Sequence, residues 1–496
     1  MIDAVTVLLI GPIVGVGLTV ATRGVLRAAL AAVTAVVTTA AVAHLAGDLV
    51  GQVGPIPAML PLPFDLEVAL LADGLAVSMA AMTSAVGTAV VVFALIEDLR
   101  ETERRHDAYW PLLFALWGGL HLLFLATDLL TTYLMLELIG VCGAALVTLR
   151  GDRGSVLAGT RYFYAELAAS TTMLVGVALV WWQAGTVAYD GLGVALEGNT
   201  VGQLGLAIMT AGLLVKLPLA PLHFWLPAAH TQAPSAVSPL LSGVMVKAAF
   251  AVIARLWFLV LPPLVTPGAS QLLGVLGAVA ILWGSLVALT ALPLKRLIAA
   301  STVAQLGLLM LMVPLVAAGG TDAWTGGVVL AVTHALAKAA MLMAAVVIVD
   351  GARDDRTAHG ERSWPDVDEL VGSAARRPIA VMAFGVSGLS LVGLPPSGGF
   401  IAKWYLLLAS VETGQRWWAA VILVGTLLTV SYLMRFIKVA FTPAEVLPTG
   451  ELPPAKRDAR DLVALGLAGT TLIIGLRPAL LLEIVEVAAP LARGGG

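Results

Sequence analysis

Apolar runs of about 20 residues, the length a helix needs to cross a bilayer core, recur from one end of this chain to the other. Hydrocarbon offers the backbone no hydrogen-bond partners, so a spanning segment must be a helix or part of a closed barrel. A barrel would show alternating segments of about 10 residues, which are absent. The chain is therefore expected to be an all-α polytopic membrane protein. Its charge content agrees: 12% of the 496 residues are charged, against about 25% in a soluble domain. There is no basic patch or arm, so nucleic acid is not an expected partner. The single cysteine, Cys142, excludes an intrachain disulfide and any Cys-rich metal or iron–sulfur site. No basic segment precedes the first run, which reads as a retained helix rather than a cleaved signal.

About fourteen spans can be drawn at this length: 3–21, 29–50, 74–96, 110–127, 129–149, 162–184, 203–223, 237–260, 271–292, 298–318, 325–349, 379–410, 417–440 and 462–484. The segment 51–73 is too rich in Pro and Gly to span and reads as a surface excursion, a short hairpin. With the N-terminus outside, 20 of the 28 Lys and Arg residues fall in loops on the cytoplasmic side and 3 on the outer side. That is the bias of the positive-inside rule, and it places both termini outside. Four regions follow: spans 1–3 in 1–109, a first unit in 110–260, a second in 271–440, and a C-terminal helix and tail in 462–496.

Two stretches repeat each other. LVKLPLAPLHFWL at 214–226 resembles LVGLPPSGGFIAKW at 391–404, each with Leu-Pro inside an apolar run. Proline removes a backbone donor and clashes with the preceding turn, so spans 7 and 12 should both break. They lie five spans apart. An odd offset makes the two five-helix units inverted in the membrane, and paired interrupted helices point to a central transport site.

Ionisable groups at membrane depth are the main functional signal, because each is expensive to insert and marks an ion pathway by default. They are Glu137, Lys216, Lys247, His334, Lys338 and Lys403. Glu137 is expected to pair with a lysine of the broken span 7, as part of a relay or as a static tie. Lys216 sits two residues before Pro218, where freed carbonyls can solvate an ammonium. Lys247 lies mid-span, too deep to snorkel. His334 and Lys338, four apart, share a helix face, and a histidine exchanges protons near neutral pH. Lys403 follows the second break as the far end of the row. His230, in the connector after span 7, reads either as a shuttle or as a cap. Ser301 and Gln305 line one face of span 10, where they can hold water. Asp128 and Glu166 read as structural or entrance groups. No nucleotide loop, nucleophile triad, haem ligand set or metal-binding cluster appears, so no cofactor is expected.

These motifs carry a resemblance. Glu137 in LMLELIG, Lys216 in VKLPLAPLHFWLPAAH, APSAVSPLLSGVMVK ending at Lys247, LKRLIAASTVAQLG at 294–307, THALAKA around His334 and Lys338, and GLPPSGGFIAKW ending at Lys403 occur in order over roughly residues 110–410. The chain resembles the antiporter-like family shared by Mrp-type Na+/H+ antiporters, the proton-pumping membrane subunits of respiratory complex I, and membrane-bound hydrogenases. The resemblance implies fourteen helices with two inverted five-helix units and a hydrophilic axis parallel to the membrane plane. It implies that Glu137 and Lys216 are the family's Glu–Lys pair, Lys247 its central lysine and Lys403 its distal charged residue. The lysine at 403 and the chain length resemble the Mrp D-type subunit. Partners implied are other membrane subunits, H+ and, for an antiporter, Na+. The setting implied is a bacterial-type cell (inner) membrane.

Overall fold

The same apolar runs form the helices of a computed structural model, which describes residues 4–51, 54–62, 66–98, 107–353, 364–443, 458–487 and 489–490. Arg100, Arg104, Arg105, Arg356, Arg362, Lys456, Arg457 and Arg493, which contribute to the charge asymmetry, lie outside these residues. Among the described residues, eleven helices are long and apolar enough to cross a membrane. Three shorter apolar helices, Tyr109–Leu125, Thr200–Lys216 and Pro378–Val392, supply spans 4, 7 and 12. Together they make the fourteen-span all-α membrane fold. Segment 51–73 contains a hairpin, β1 (Ile56–Leu62) paired antiparallel with β2 (Leu66–Ala72). It is tied to the end of span 4 through a bridge between Leu70 and Ala126.

Proline acts where expected. Span 7 stops at Lys216 and resumes as Leu226–Gln232; span 12 stops at Val392 and resumes as Gly398–Glu412. Each break contains a cis X-Pro bond, Ala220–Pro221 and Pro395–Pro396. His230, placed in a connector by the sequence, therefore lies on the second half of span 7. The last span is also interrupted: Ala459–Leu476 ends before Pro478, and a separate helix follows at Ala479–Val485.

Burial sorts the spans into layers. In the most apolar 18-residue stretch of each helix, 94% of the residues of span 8 (Ser238–Val260) and all those of span 10 (Leu294–Ala317) and span 11 (Thr321–Ala352) are buried. In the corresponding stretches of spans 1, 2, 13 and 14 only 33% of the residues are buried, and their apolar faces turn outward. Glycine lets key pairs approach closely, as membrane helices require in the absence of a hydrophobic drive between them. A Cβ on Gly277 of span 9 would lie 2.6 Å from the Gly307 carbonyl, and one on Gly307 would lie 2.4 Å from the Gly277 carbonyl. The three most enclosed helices are the ones that carry Lys247, Ser301, Gln305, His334 and Lys338.

Candidate functional site

Lys216 is the last residue of the first half of span 7, and its Nζ donates to Glu166 Oε2 at 2.6 Å, with both side chains buried. The expected partner, Glu137, is not there. It is half-buried on span 5 and in hydrogen-bond contact with Tyr133. Packing explains the exchange. One turn on from Glu137, span 5 presents Gly140 and Gly143. A Cβ on Gly140 would come within 2.8 Å of Glu166 Oε2, and one on Gly143 within 2.9 Å of the Tyr162 hydroxyl. These glycines let span 6 close on span 5, so Glu166 fills the space facing Lys216. Glu166, expected as a structural or entrance group, is thus buried against Lys216. Leu136 and Ile139, not Glu137, join Tyr162, Glu166, Lys216 and Met245 around a cavity of about 10 Å³, room for one water.

The Trp225 ring stacks on Tyr162 with centroids 4.3 Å apart, and its Nε1 donates to the Val215 carbonyl freed by the break, at 2.9 Å. The second break repeats the device with different chemistry. Val392, which matches Val215 in the sequence repeat, has its carbonyl bound by Lys403 Nζ at 2.7 Å. Lys403 also donates to the Leu391 carbonyl and to Thr426 Oγ1, each at 3.1 Å.

Lys247 follows a π-helical turn at Leu241–Met245. Such wide turns free backbone groups and are frequent at functional sites. Lys247 Nζ takes the Ser242 carbonyl at 2.7 Å. The Ser242 hydroxyl meets Thr302 Oγ1 at 2.8 Å, and Thr302 donates to the Ile298 carbonyl at 3.0 Å. The same carbonyl accepts from Lys338 Nζ at 3.0 Å, and Lys338 also donates to Ser301 Oγ. The Tyr432 hydroxyl, from span 13, faces Ser301, Gln305 and Thr429. Gln305 Nε2 reaches Thr429 Oγ1 at 3.3 Å and the Leu391 carbonyl at 3.5 Å, a carbonyl that Lys403 also holds. Lys247, Lys338 and Lys403 are thereby joined through hydroxyls, one amide and shared carbonyls. Ser301 and Gln305 are the links between Lys338 and Lys403. The cavity beside Gln305, Lys403 and Thr429, again about 10 Å³, also has room for one water.

His334 lies on the Lys338 face, within electrostatic reach of Lys247, Lys338 and Lys403. His230 lies within reach of Lys295, Lys338 and Lys247. Among the described residues, neither histidine has a hydrogen-bond partner on either ring nitrogen. Asp128 caps the start of span 5, accepting from Thr131 N at 2.7 Å, and stands apart from the lysine row.

Several members were not singled out in the sequence. Lys295 was counted as a loop cation; it is 1% exposed, donates to the Ala233 carbonyl at 3.0 Å and lies 4.8 Å from the Trp364 ring centroid. Tyr432, Thr302 and Ser242 resemble the many hydroxyls that bond within their own helix. Tyr162 did carry a signal: it lies four residues before Glu166, so an aromatic and a carboxylate share one helix face. Among the described residues there is no cluster of His, Cys, Asp and Glu fit to hold a metal.

Comparison with known proteins gives this geometry a context. Residues 126–429, more than half of the chain, match the family described as "NADH:quinone oxidoreductase/Mrp antiporter, TM". NADH-quinone oxidoreductase subunit N of Desulforudis audaxviator is 31% identical over 428 residues, covering 84% of this chain and 81% of that protein. A chain of the Mrp complex from Dietzia sp. DQ12-45-1b superposes with a TM-score of 0.85 at 25% identity, covering 98% of this chain and 97% of that one. A chain of the membrane-bound sulfane sulfur reductase, an archaeal respiratory membrane complex, has the same fold, with a TM-score of 0.83 at 22% identity and coverage of 98% and 96%.

Proposed function

The chain belongs to the NADH:quinone oxidoreductase/Mrp antiporter membrane family, and from that premise we propose that it is the proton-translocating subunit of a multisubunit cation/proton (Na+/H+) antiporter. The observation that carries the reading is the buried lysine row, bridged from Lys247 through Lys338 to Lys403 by groups that exchange hydrogen bonds. Glu166, Lys216, Lys247, His334, Lys338 and Lys403 are the relay, with His230, Ser301 and Gln305 as adjoining groups.

The charge balance of the row supports this role. Among the described residues, Lys216 has a carboxylate at 2.6 Å, while Lys247, Lys338 and Lys403 are held by carbonyls and hydroxyls without a counter-ion. Two like charges about 8 Å apart at an effective dielectric near 20 repel by about 2 kcal/mol. A proton on one lysine therefore disfavours a proton on a neighbour at such a separation. A proton added at one end drives one off further along. Opening the Glu166–Lys216 pair adds a charge at one end; closing it removes one. The chain's contribution is to hold and hand on protons, and the driving force comes from neighbouring subunits.

A second reading is a proton-pumping subunit of a complex I-like or hydrogenase-like redox complex, with the same relay driven by electron transfer elsewhere. It is favoured by the 31% identity to an NADH-quinone oxidoreductase subunit N. The antiporter reading is favoured by the full-length match to a chain of the Mrp complex. Both place the protein as a multi-pass subunit in a bacterial-type cell membrane, both termini on the outer side. Purification of the native complex separates them: small antiporter subunits support the first, iron–sulfur subunits the second. Proton movement tests what the two share. The Lys338→Met complex should assemble in normal yield and lose proton translocation in vesicles, and unchanged translocation overturns the relay.

A further inference from the structure

One buried lysine stands outside the row. The second half of span 7, Leu226–Gln232, ends at Ala233, and the last carbonyls of a helix have no partner within it. Lys295, in the first turn of span 10, reaches across and donates to the Ala233 carbonyl at 3.0 Å. Its ammonium is thereby held at the end of the short helix, where the carbonyl dipoles favour a cation, three residues along the chain from His230. Among the described residues it has no carboxylate partner; the Trp364 ring, 4.8 Å away, covers it instead. Trp364 is half-buried. It sits on a strap fixed to the start of span 10 by two backbone bonds, from Leu294 N to the Pro365 carbonyl at 3.2 Å and from Val367 N to the Leu292 carbonyl at 2.8 Å. At the same end of the bundle Arg150, exposed and paired with Asp152 at 3.2 Å, lies within electrostatic reach of Lys295. Lys295 is therefore close to solvent, behind one aromatic ring.

Two contacts lead from Lys295 inward. Lys338 donates to the Ile298 carbonyl at 3.0 Å, and Ile298 is one turn beyond Lys295 on span 10, about 4.5 Å along the axis. His230, 1% exposed, has Lys295, Lys338 and Lys247 as common electrostatic neighbours. Buried polar groups are normally paired, yet among the described residues neither nitrogen of this imidazole has a partner. A neutral imidazole offers one donor and one acceptor. With no bond holding the ring, it is free to turn and to use either nitrogen toward either lysine.

From this arrangement we infer that Lys295, under Trp364, is the station at which the row takes up protons from the cytoplasmic face, with His230 as the bridge to Lys338. The inference rests on the proton-translocating reading above and on the orientation set by the loop charges, and adds the place where the row meets that face. The Lys295 ammonium gives a proton to the acceptor nitrogen of His230. The other ring nitrogen gives its own proton to the Lys338 amine, each hop direct or across one water. Lys295 ends as an amine, Lys338 as an ammonium, and the imidazole stays neutral with its tautomer exchanged; a turn of the ring restores the start. Water at the edge of Trp364 reprotonates Lys295. A carboxylate partner would hold the ammonium charged, whereas a ring face and one carbonyl stabilise the charge and leave the proton free to move on.

The test uses the intact complex in sealed vesicles of known orientation, with a pH-sensitive dye. Lys295→Arg keeps a cation for the Ala233 carbonyl and the Trp364 ring, but a guanidinium does not give up its proton in a protein. It should assemble in normal yield and slow proton movement tenfold or more, whereas a lysine that only ties span 10 to span 7 would be replaced by arginine with rates within twofold of wild type. In a Cys142→Ser background, Trp364→Cys tests the route without removing a charge. A bulky, membrane-impermeant thiol reagent added on the cytoplasmic face should stop proton movement; the same reagent on the other face should not, and Cys142→Ser alone should be unaffected. Lys338→Met checks the underlying relay. Rates within twofold for Lys295→Arg, with Lys338→Met inactive, would remove the station and leave the relay standing. Activity in Lys338→Met would remove the relay and the station with it. If Lys295→Arg fails to assemble, the labelled Trp364→Cys complex decides: a block from the cytoplasmic face supports the station, and full rates after labelling, or a block from the other face alone, overturn it.

Discussion

The exchange of Glu137 for Glu166 as the partner of Lys216 can be tested by removing the charges singly and together. At 2.6 Å and an effective dielectric near 20, the direct attraction is about 6 kcal/mol. Much of it offsets desolvation, so the net quantity is smaller. Removing one partner of a buried pair is destabilising by about 3–5 kcal/mol, because the other charge is left alone, whereas replacing both with apolar or neutral groups is often neutral. Glu166→Gln and Lys216→Met should therefore each lower the heat stability of the assembled complex. The double variant should recover most of the loss, a coupling of about 3 kcal/mol. Glu137→Gln combined with Lys216→Met should show no recovery, since Glu137 lies half-buried on the flank of span 5, away from Lys216. The assay is fluorescence-detected size-exclusion chromatography of the complex after graded heating. Recovery with Glu137 rather than Glu166, or no recovery in either pair, refutes the pairing.

Three further outcomes follow from the geometry. Gly140→Ala places a methyl 2.8 Å from Glu166 Oε2, so it should reduce proton translocation about tenfold by displacing that oxygen from Lys216, and Glu166→Asp in the same background should restore part of it; a Gly140→Ala complex with wild-type rates would show that the approach of spans 5 and 6 does not control the pair. Tyr432→Phe removes the hydroxyl facing Ser301, Gln305 and Thr429 and should slow dye-detected proton movement at least fivefold without changing complex yield. Trp225→Phe keeps the stack on Tyr162 but leaves the Val215 carbonyl without its donor; losing one buried hydrogen bond is destabilising by about 1–3 kcal/mol, and a lower heat-inactivation temperature is the readout.

Much of this architecture is written locally. The length and composition of each apolar run decide that it spans, since a bilayer accepts only backbones that satisfy their own hydrogen bonds. Pro218 and Pro395 decide where spans 7 and 12 break, through their own missing donor and ring. Lys247, Lys338 and Lys403 announce themselves because an amine so deep in an apolar run needs a built partner. The neighbour that each polar group finds is not local. It depends on how each helix is rotated about its axis, and that rotation is set by side chains on other helices. Gly140 and Gly143 bring span 6 onto span 5, which puts Glu166 before Lys216 and turns Glu137 aside. Lys295, by sequence a loop cation, is drawn under Trp364 onto the Ala233 carbonyl by the second half of span 7. The sequence determined which residues had to be satisfied within the membrane. The tertiary structure decided which carbonyl, hydroxyl or carboxylate satisfies each one, because a helix periodicity places a side chain on a face but leaves open what that face will meet.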